Sequence, residues 1–190
     1  KDFMGLGVSA CATCDGFFFK NKVVAVAGGG NTAVEEAIFL SNLCQKVFVI
    51  HRRDKLRAEK ILQERLMKKE NIEILWNQEV KKVIGDKEKK CILGIEILNN
   101  KTKTKKELNI DGFFVAIGHS PETNLFKTKL KMDKEGYIIT SPDSTKTNVD
   151  GIFAAGDVTD KIYRQAVTAA GMGCMSAIEA ETFLNLKKII

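Results

Sequence analysis

The sequence predicts an α/β protein of three-layer ββα character, with a parallel sheet covered by helices and a small antiparallel meander. Three observations indicate this class. Short apolar runs alternate with helix-periodic segments between residues 23 and 76, which is the pattern of βαβ units. A glycine cluster ends the first apolar run. Three later β-like runs are separated by polar turns, which is typical of consecutive antiparallel strands.

Composition narrows the class further. Hydrophobic residues make up 44% of the 190 residues and charged residues 28%, so we expect a packed core. Much of the net charge of +6 lies in lysine runs at 101–106 and 127–134, where no aromatic residues interleave. These runs indicate solvated loops and no nucleic-acid partner. No membrane span or signal peptide is recognisable, so we expect a cytoplasmic protein. Because the first residue is Lys1, we expect a piece of a longer chain.

The predicted elements follow in order. The first part alternates strands and amphipathic helices, and the meander and one more buried strand follow. Gly and Pro at 118–121 indicate a boundary, so we predict domains at 1–118 and 119–190. The predicted strands are Val23–Ala27, Val47–Ile50, Ile72–Trp76, Val80–Ile84, Cys91–Leu98, Lys106–Ile110, Phe113–Ile117, Tyr137–Ile139 and Ile152–Ala155, and the predicted helices are Ala33–Leu43, Ala58–Lys68 and Gln165–Leu186.

The glycine cluster matches a dinucleotide-binding turn. Gly28, Gly30 and Ala33 have the spacing GxGxxA between a strand and a helix, which is the context that the pattern requires. Small residues allow a tight turn and let a pyrophosphate approach the helix N-terminus. Asn31 and Thr32 lie at the helix start. This arrangement predicts a Rossmann-like domain, whereas the similar spacing from Gly5 to Ala10 follows no strand.

The end of the second strand predicts which nucleotide is bound. An NAD site would have an acidic residue here for the ribose hydroxyl. The chain instead has His51, Arg52 and Arg53, with Arg57 close behind. Guanidinium groups pair well with a 2′-phosphate. The residues therefore predict NADP, and the alternative is a basic loop without a ligand.

Two cysteines near the start predict redox chemistry. Cys11 and Cys14 have the CxxC spacing that suits disulfide exchange. Asp15 follows directly and is either a proton donor to a departing thiolate or an exposed turn residue. Zinc is the competing interpretation, but a structural site needs about four ligands and no second cysteine pair exists. We therefore expect no metal, and interpret Cys44, Cys91 and Cys174 as core thiols.

A second ligand signal lies near the end of the chain. Gly156 and Asp157 follow a predicted strand, where Asp157 could accept hydrogen bonds from ligand hydroxyls. Arg164, Gln165 and Ala166 open the last predicted helix, whose N–H groups would face an incoming ligand.

Taken together, the segments resemble thioredoxin reductases of the low-molecular-weight bacterial type. The resemblance rests on GVSACATCDGFFF, GGGNTAVEEA, HRRDKLRAEKIL, FVAIGHSP and GIFAAGDVTDKIYRQAVTAAGMGC, in this order. It implies that Cys11 and Cys14 are the redox disulfide and Asp15 the neighbouring acid. It also implies that residues 1–118 bind NADP, through the residues named above and Gly118, and that residues 119–190 are the C-terminal part of an FAD-binding domain, contacting FAD from Gly156 and Asp157 to Ala166.

The resemblance also implies the reaction: electrons pass from NADPH through FAD and the disulfide to thioredoxin, in a homodimer. It favours Cys14 as the attacking thiol, although the residues themselves leave the choice open. The family's own flavin pyrophosphate turn would precede Lys1. We therefore expect the 190-residue chain to bind NADP weakly or moderately and FAD hardly at all. The alternatives are a related flavoprotein that feeds a peroxidase and a non-catalytic NADP-binding module.

Overall fold

The computed structural model describes residues 2–187. Lys1, the first residue of the predicted domain 1–118, and residues 188–190, the last of the predicted domain 119–190, lie outside the described residues. The chain divides into two units between Gly118 and His119. The first unit is built on a five-stranded sheet in which every pairing is parallel, with strand order β1-β8-β2-β3-β4. Its strands are β1 (Val8–Ser9), β2 (Val23–Gly28), β3 (Lys46–His51), β4 (Ile72–Trp76) and β8 (Gly112–Ala116).

Alternate residues of β2 explain the layers of this unit. Val24 and Val26 lie in a core with helices α2 (Asn31–Ser41) and α3 (Lys60–Met67). Ala25 and Ala27, on the opposite face, lie in a second core. Successive side chains of a strand point to opposite faces, so a strand that is apolar throughout needs cover on both. The predicted α/β class is confirmed.

An antiparallel sheet of three strands covers the face of the parallel sheet that carries Ala25 and Ala27. It consists of β5, β6 and β7, paired in sequence order as the polar turns predict. Ile92, Ile95 and Ile97 of the middle strand pack in the core shared with β2. The unit therefore has three layers, namely antiparallel sheet, parallel sheet and helices. The three strands are β5 (Gln78–Asp86), β6 (Cys91–Asn99) and β7 (Lys105–Asn109).

The segment before β2 has structure that the sequence did not predict. The two-residue strand β1 pairs with β8, and a short helix α1 (Ala12–Asp15) is followed by a 3-10 turn at Gly16–Phe19. These elements are too short to show a hydrophobic period. Phe19 anchors the turn, because its buried ring contacts Phe114 edge-on at 5.4 Å between centroids.

In the second unit, the two predicted strands are wrong. Residues 137–139 and 152–155 contribute only isolated bridges, Met132 with Ile138 and Lys146 with Phe153. An apolar run becomes a strand only where a neighbouring segment pairs with it through a series of backbone hydrogen bonds. Among the described residues, each of these two segments forms one isolated bridge. The helix α4 (Ala166–Leu186) is present within one residue of the prediction.

Glu179 of α4 is tied to a loop of the same unit. Its carboxylate accepts hydrogen bonds from the hydroxyls of Ser144 and Thr145 and from the backbone N–H of Thr145, at 2.5, 2.5 and 2.9 Å respectively. These bonds hold the pKa of Glu179 below its ordinary value, and the bond from Ser144 has the largest effect.

Within residues 2–187, no helix combines the length and the apolar character that a membrane span requires.

Candidate functional site

A cleft of about 600 Å³ opens in the first unit where β2, β3 and β8 end. Ligands of parallel α/β sheets bind beyond the carboxyl ends of the strands, so the position suits a nucleotide. The glycine turn forms one wall and the first residues of β5 another. The lining residues are Ala27, Gly28, Gly29, Gly30, Thr32, Ile50, His51, Arg52, Arg57, Gln78, Glu79, Val80, Phe113, Val115, Ala116, Ile117 and Gly118.

The glycine turn, which we define as residues 28–30, is closely packed at its first residue and open at its last. A Cβ at Gly28 would overlap the carbonyl oxygen of Ala116 and lie 2.5 Å from the Cβ of Ala33. Gly30, in contrast, has no atom within 4 Å of the Cβ position, so its face is open to a ligand. The helix α2 begins directly afterwards at Asn31, and its first N–H groups have no partner within the helix. The turn therefore offers donors beside open space, which suits a pyrophosphate.

Replacing Gly28 with Ala should destabilise the first unit by about 1–3 kcal/mol, because the overlap is with backbone and forces the chain to shift. Chemical denaturation would measure this loss. Gly30→Ala is the matched control: its φ of −90° suits any residue, so stability should hardly change while nucleotide binding weakens. Equal stability of the two variants would contradict the assignment of Gly28 to close packing.

Asn31, predicted at the nucleotide site, is engaged within the protein. Its side-chain amide donates to Glu59 Oε1 at 3.2 Å, and its Oδ1 accepts from the Glu59 backbone N–H at 2.9 Å. Asn31 therefore joins the start of α2 to the residue before α3. Thr32 is exposed and lines the cleft.

Three arginines follow β3. Arg52, Arg53 and Arg57 are exposed, and Arg52 and Arg57 line the cleft whereas Arg53 does not. In the described part of the chain, every salt bridge uses a lysine as its cation, so these guanidinium groups form no close ion pair, although the charge of Arg52 acts on Glu79 and helps to lower its pKa. Positive charge is therefore concentrated at the edge of the cleft.

Glu79 is the one acidic residue among those that line the cleft in residues 2–187. Its carboxylate lies 2.7 Å from Lys81 Nζ. The hydrogen bond from Lys81, together with its charge, holds the pKa of Glu79 below the ordinary value. The lysine partly offsets the negative charge that would otherwise oppose an anionic ligand.

His51 and Gly29 form a contact that the sequence did not predict. His51, predicted at the 2′-phosphate, is buried, and each of its two ring nitrogens lies 2.9 Å from a backbone carbonyl oxygen, to which a protonated nitrogen donates. A Cβ at Gly29 would overlap that ring. Gly29 is a free position in the GxGxxA pattern, so only the run of three glycines hinted at a packing requirement.

A disulfide joins Cys11 and Cys14. Cys11 caps α1, and its sulfur accepts from the backbone N–H of Cys14 at 3.2 Å. Cys14 is exposed whereas Cys11 and Asp15 are half-buried. Cys14 is therefore the more accessible sulfur for a partner disulfide, and the backbone N–H of Cys14 would stabilise a thiolate on Cys11.

Helix α2 supports the disulfide segment from one side. A Cβ at Gly16 would lie 3.1 Å from the side chains of Phe39 and Leu40, so the segment packs closely on the helix. Glu36 Oε1 also accepts from the backbone N–H of Ala12 at 3.3 Å. Helix α2 thus contacts the disulfide segment and also begins at the glycine turn, but neither cysteine of the disulfide lines the cleft.

Across residues 2–187, no cluster of three His, Cys, Asp or Glu side chains could hold a metal ion.

The remaining cysteines differ in exposure. Cys44 is buried as predicted, and burial followed by the charge of Asp111 raises the pKa of its thiol to about 11. Cys91 is half-buried, and the prediction for Cys174 is wrong, because this thiol is exposed on α4. The described part of α4 has no buried residue, so an apolar helical pattern did not mean burial here.

Alkylation of the native, oxidised protein at pH 8 should therefore modify Cys174 first, Cys91 more slowly and Cys44 hardly at all. The thiolate is the reactive form, and at pH 8 a thiol with the pKa of Cys44 is almost wholly protonated. Mass spectrometry of peptides would measure the order, and two further sites should appear after reduction. Rapid labelling of Cys11 before reduction would contradict the disulfide.

The second unit holds the other predicted ligand residues. Gly156 and Asp157 begin a 3-10 turn, and Asp157 is exposed. Gln165 caps α4 in a reciprocal pair with Thr168, so its side chain is partly engaged. Arg164 has φ of 49°, which places it in the left-handed region, and Ala166 is the first residue of α4.

Asp160 organises this turn and was not predicted. Its carboxylate accepts from the backbone N–H groups of Ile162, Tyr163 and Arg164, each at 2.9 Å. Burial acts to raise the pKa of Asp160, but these bonds and the Thr168 hydroxyl hold it below its ordinary value. The sequence signal is an Asp just before three residues whose N–H groups can turn back to it.

Comparisons with known proteins agree with this geometry. The family model described as "Pyridine nucleotide-disulphide oxidoreductase" matches residues 1–173. The chain is 60% identical over 185 residues to a thioredoxin reductase of Rickettsia bellii (strain RML369-C), a match that covers 97% of this chain and 60% of that protein. A thioredoxin reductase of Coxiella burnetii (strain RSA 493 / Nine Mile phase I) is 52% identical, with 97% and 59% covered. The chain thus spans about three fifths of the length of these curated relatives.

A solved structure gives the same result for the fold. The thioredoxin reductase from Streptococcus pyogenes MGAS5005 superposes with a TM-score of 0.86 at 41% identity, covering 94% of this chain and 57% of that one. The Rossmann-like class predicted from the glycine turn is therefore confirmed.

Proposed function

Because this chain belongs to the pyridine nucleotide-disulphide oxidoreductase family, we propose that it supplies the NADP-binding and disulfide-bearing part of an NADPH-dependent thioredoxin reductase. The observation that carries the proposal is that one unit holds both an accessible CxxC disulfide and a cleft with exposed arginines at its edge. A nucleotide-binding module without redox chemistry would have no need of the disulfide.

The cleft residues suit NADP. The open face of Gly30 and the first turn of α2 would receive the pyrophosphate. Arg52 and Arg57 would receive the 2′-phosphate, with Arg53 close by. Gly118 lines the cleft and has no atom within 4 Å of its Cβ position, so a bound nucleotide could lie against its backbone.

The second unit would hold part of FAD. The exposed carboxylate of Asp157 could accept from ligand hydroxyls, and the start of α4 at Ala166 could face a phosphate. Arg164 and Gln165 lie beside this helix start. FAD, when bound, would supply the step in which electrons from NADPH are passed on to the disulfide. Such a relay agrees with the finding that Cys11 and Cys14 do not line the nucleotide cleft.

The exchange with thioredoxin then needs only the chain's own sulfurs. In the reduced pair, the accessible Cys14 thiolate attacks one sulfur of the partner disulfide, forming a mixed disulfide and releasing the other sulfur as a thiolate. The Cys11 thiolate next attacks Cys14 Sγ, which restores the Cys11–Cys14 disulfide and releases the second partner thiolate. Asp15, adjacent to Cys14, is the proposed proton donor to the departing thiolates.

The decisive test is NADPH oxidation by the flavin-loaded full-length protein with oxidised thioredoxin as acceptor. We expect turnover that requires thioredoxin and stops when the Cys11–Cys14 pair is alkylated after reduction. Rapid reduction of a peroxidase-linked acceptor without any reduction of thioredoxin would favour the related flavoprotein that feeds a peroxidase. A purified full-length protein with no flavin absorbance would instead favour a non-catalytic NADP-binding module.

A further inference from the structure

His51 is built into the wall of the nucleotide cleft. Only 4% of the residue is exposed. Nδ1 of its ring lies 2.9 Å from the carbonyl oxygen of Gly28, and Nε2 lies 2.9 Å from that of Lys55. A ring nitrogen that binds phosphate has to donate an N–H to it, and both nitrogens of His51 already face backbone oxygens.

The two carbonyl groups belong to different segments of the site. Gly28 ends β2 and begins the glycine turn, whereas Lys55 lies within the basic loop, which we define as residues 52–57. The imidazole ring bridges the two. Two backbone bonds add to this link: the N–H of Arg57, in the loop, and that of Ala58, directly after it, donate to the Gly29 carbonyl at 2.7 and 3.2 Å respectively.

The ring is also held sterically. A Cβ at Gly29 would overlap it, so the glycine turn lies directly against one side. Trp76 contacts the ring edge-on, with 6.1 Å between centroids and an interplanar angle of 78°. A ring confined in this way, with a backbone carbonyl oxygen 2.9 Å from each nitrogen, fixes the distance between the turn and the loop.

We propose that His51 is a positioning residue that couples the glycine turn to the basic loop, and that it does not itself bind the 2′-phosphate. This inference rests on the proposed NADP site. The glycine turn would bind the pyrophosphate, which NAD and NADP share, and the loop would bind the 2′-phosphate, which only NADP has. Loss of the bridge therefore weakens both nucleotides, whereas loss of a phosphate ligand weakens only NADP.

Calorimetric titration of the 190-residue chain with NADP and NAD separates the two roles. His51→Ala should weaken both nucleotides by about tenfold, since one or two hydrogen bonds of the site are lost. His51→Gln, which keeps one amide donor, should lose less for both. The matched control Arg52→Ala should weaken NADP and leave NAD unchanged. A loss confined to NADP in His51→Ala, or no loss at all, would overturn the proposal.

Limited trypsin digestion without nucleotide supplies a second measurement. The basic loop contains cleavable residues at Arg52, Arg53, Lys55 and Arg57. Cleavage there should be faster in His51→Ala and His51→Gln than in the unmodified chain, and unchanged at residues 53–57 in Arg52→Ala. Equal cleavage in all four proteins would overturn the positioning role. If the unmodified chain binds neither nucleotide, the proposed function fails, and the digestion still decides whether His51 positions the loop.

Discussion

Replacing either Cys11 or Cys14 with Ser should abolish thioredoxin reduction by the full-length protein, a loss of several orders of magnitude. Each sulfur has a separate task, because one forms the mixed disulfide and the other resolves it. Serine does not substitute for either, since its hydroxyl neither forms nor cleaves a disulfide. Turnover with NADPH and thioredoxin would measure the loss.

Reduction of bound flavin by NADPH should survive in both serine variants, because neither cysteine lines the nucleotide cleft. Stopped-flow absorbance of the flavin would follow this step separately. Cys174→Ser is the matched control, since this exposed cysteine lies outside the disulfide, and its turnover should equal that of the unmodified protein. Thioredoxin reduction that persisted in Cys11→Ser or Cys14→Ser would refute the assignment of the disulfide.

The second large effect is expected from Arg52 and Arg53. Replacing both with Ala should raise the KM for NADPH, because charge-assisted hydrogen bonds to phosphate contribute about 1.5–3 kcal/mol each. The effect on kcat should be small, since the 2′-phosphate is remote from the reacting end of the nucleotide. The KM for NADH should hardly change, so the preference for NADPH should collapse.

Single variants would divide this effect between the two residues. Arg52 lines the cleft and Arg53 does not, so Arg52→Ala should account for the larger part. Arg65→Ala is the matched control, an exposed arginine in the last turn of α3 and outside the cleft. Equal efficiency of the unmodified protein with NADH and NADPH would rule out a 2′-phosphate site.

The sequence by itself determined the elements whose residues repeat a local pattern. The strands from β2 to β4 and the helix between Gly30 and Asn42 were predicted to within about two residues, because burial imposes a period on each of them. The glycine turn was recognisable because small residues at fixed spacing are required where a helix start approaches a strand. The CxxC pair was recognisable because its chemistry depends on spacing along the chain.

Only the tertiary structure decided what distant residues do to one another. Gly29 has to be glycine because the ring of His51, at the end of β3, lies against it, and no local pattern records such a contact. His51 was predicted at the 2′-phosphate from its basic neighbours, and only the fold shows that its ring nitrogens lie 2.9 Å from the carbonyl oxygens of Gly28 and Lys55.

The same physical reason explains the errors in the second unit. Residues 137–139 and 152–155 have the composition of strands, but a strand exists only with a partner, and the described residues give each segment one bridge. Cys174 lies in a helix of mostly apolar residues and is nevertheless exposed. Composition thus determined which residues can be buried or paired, and the partners that the fold supplies decided which of them are.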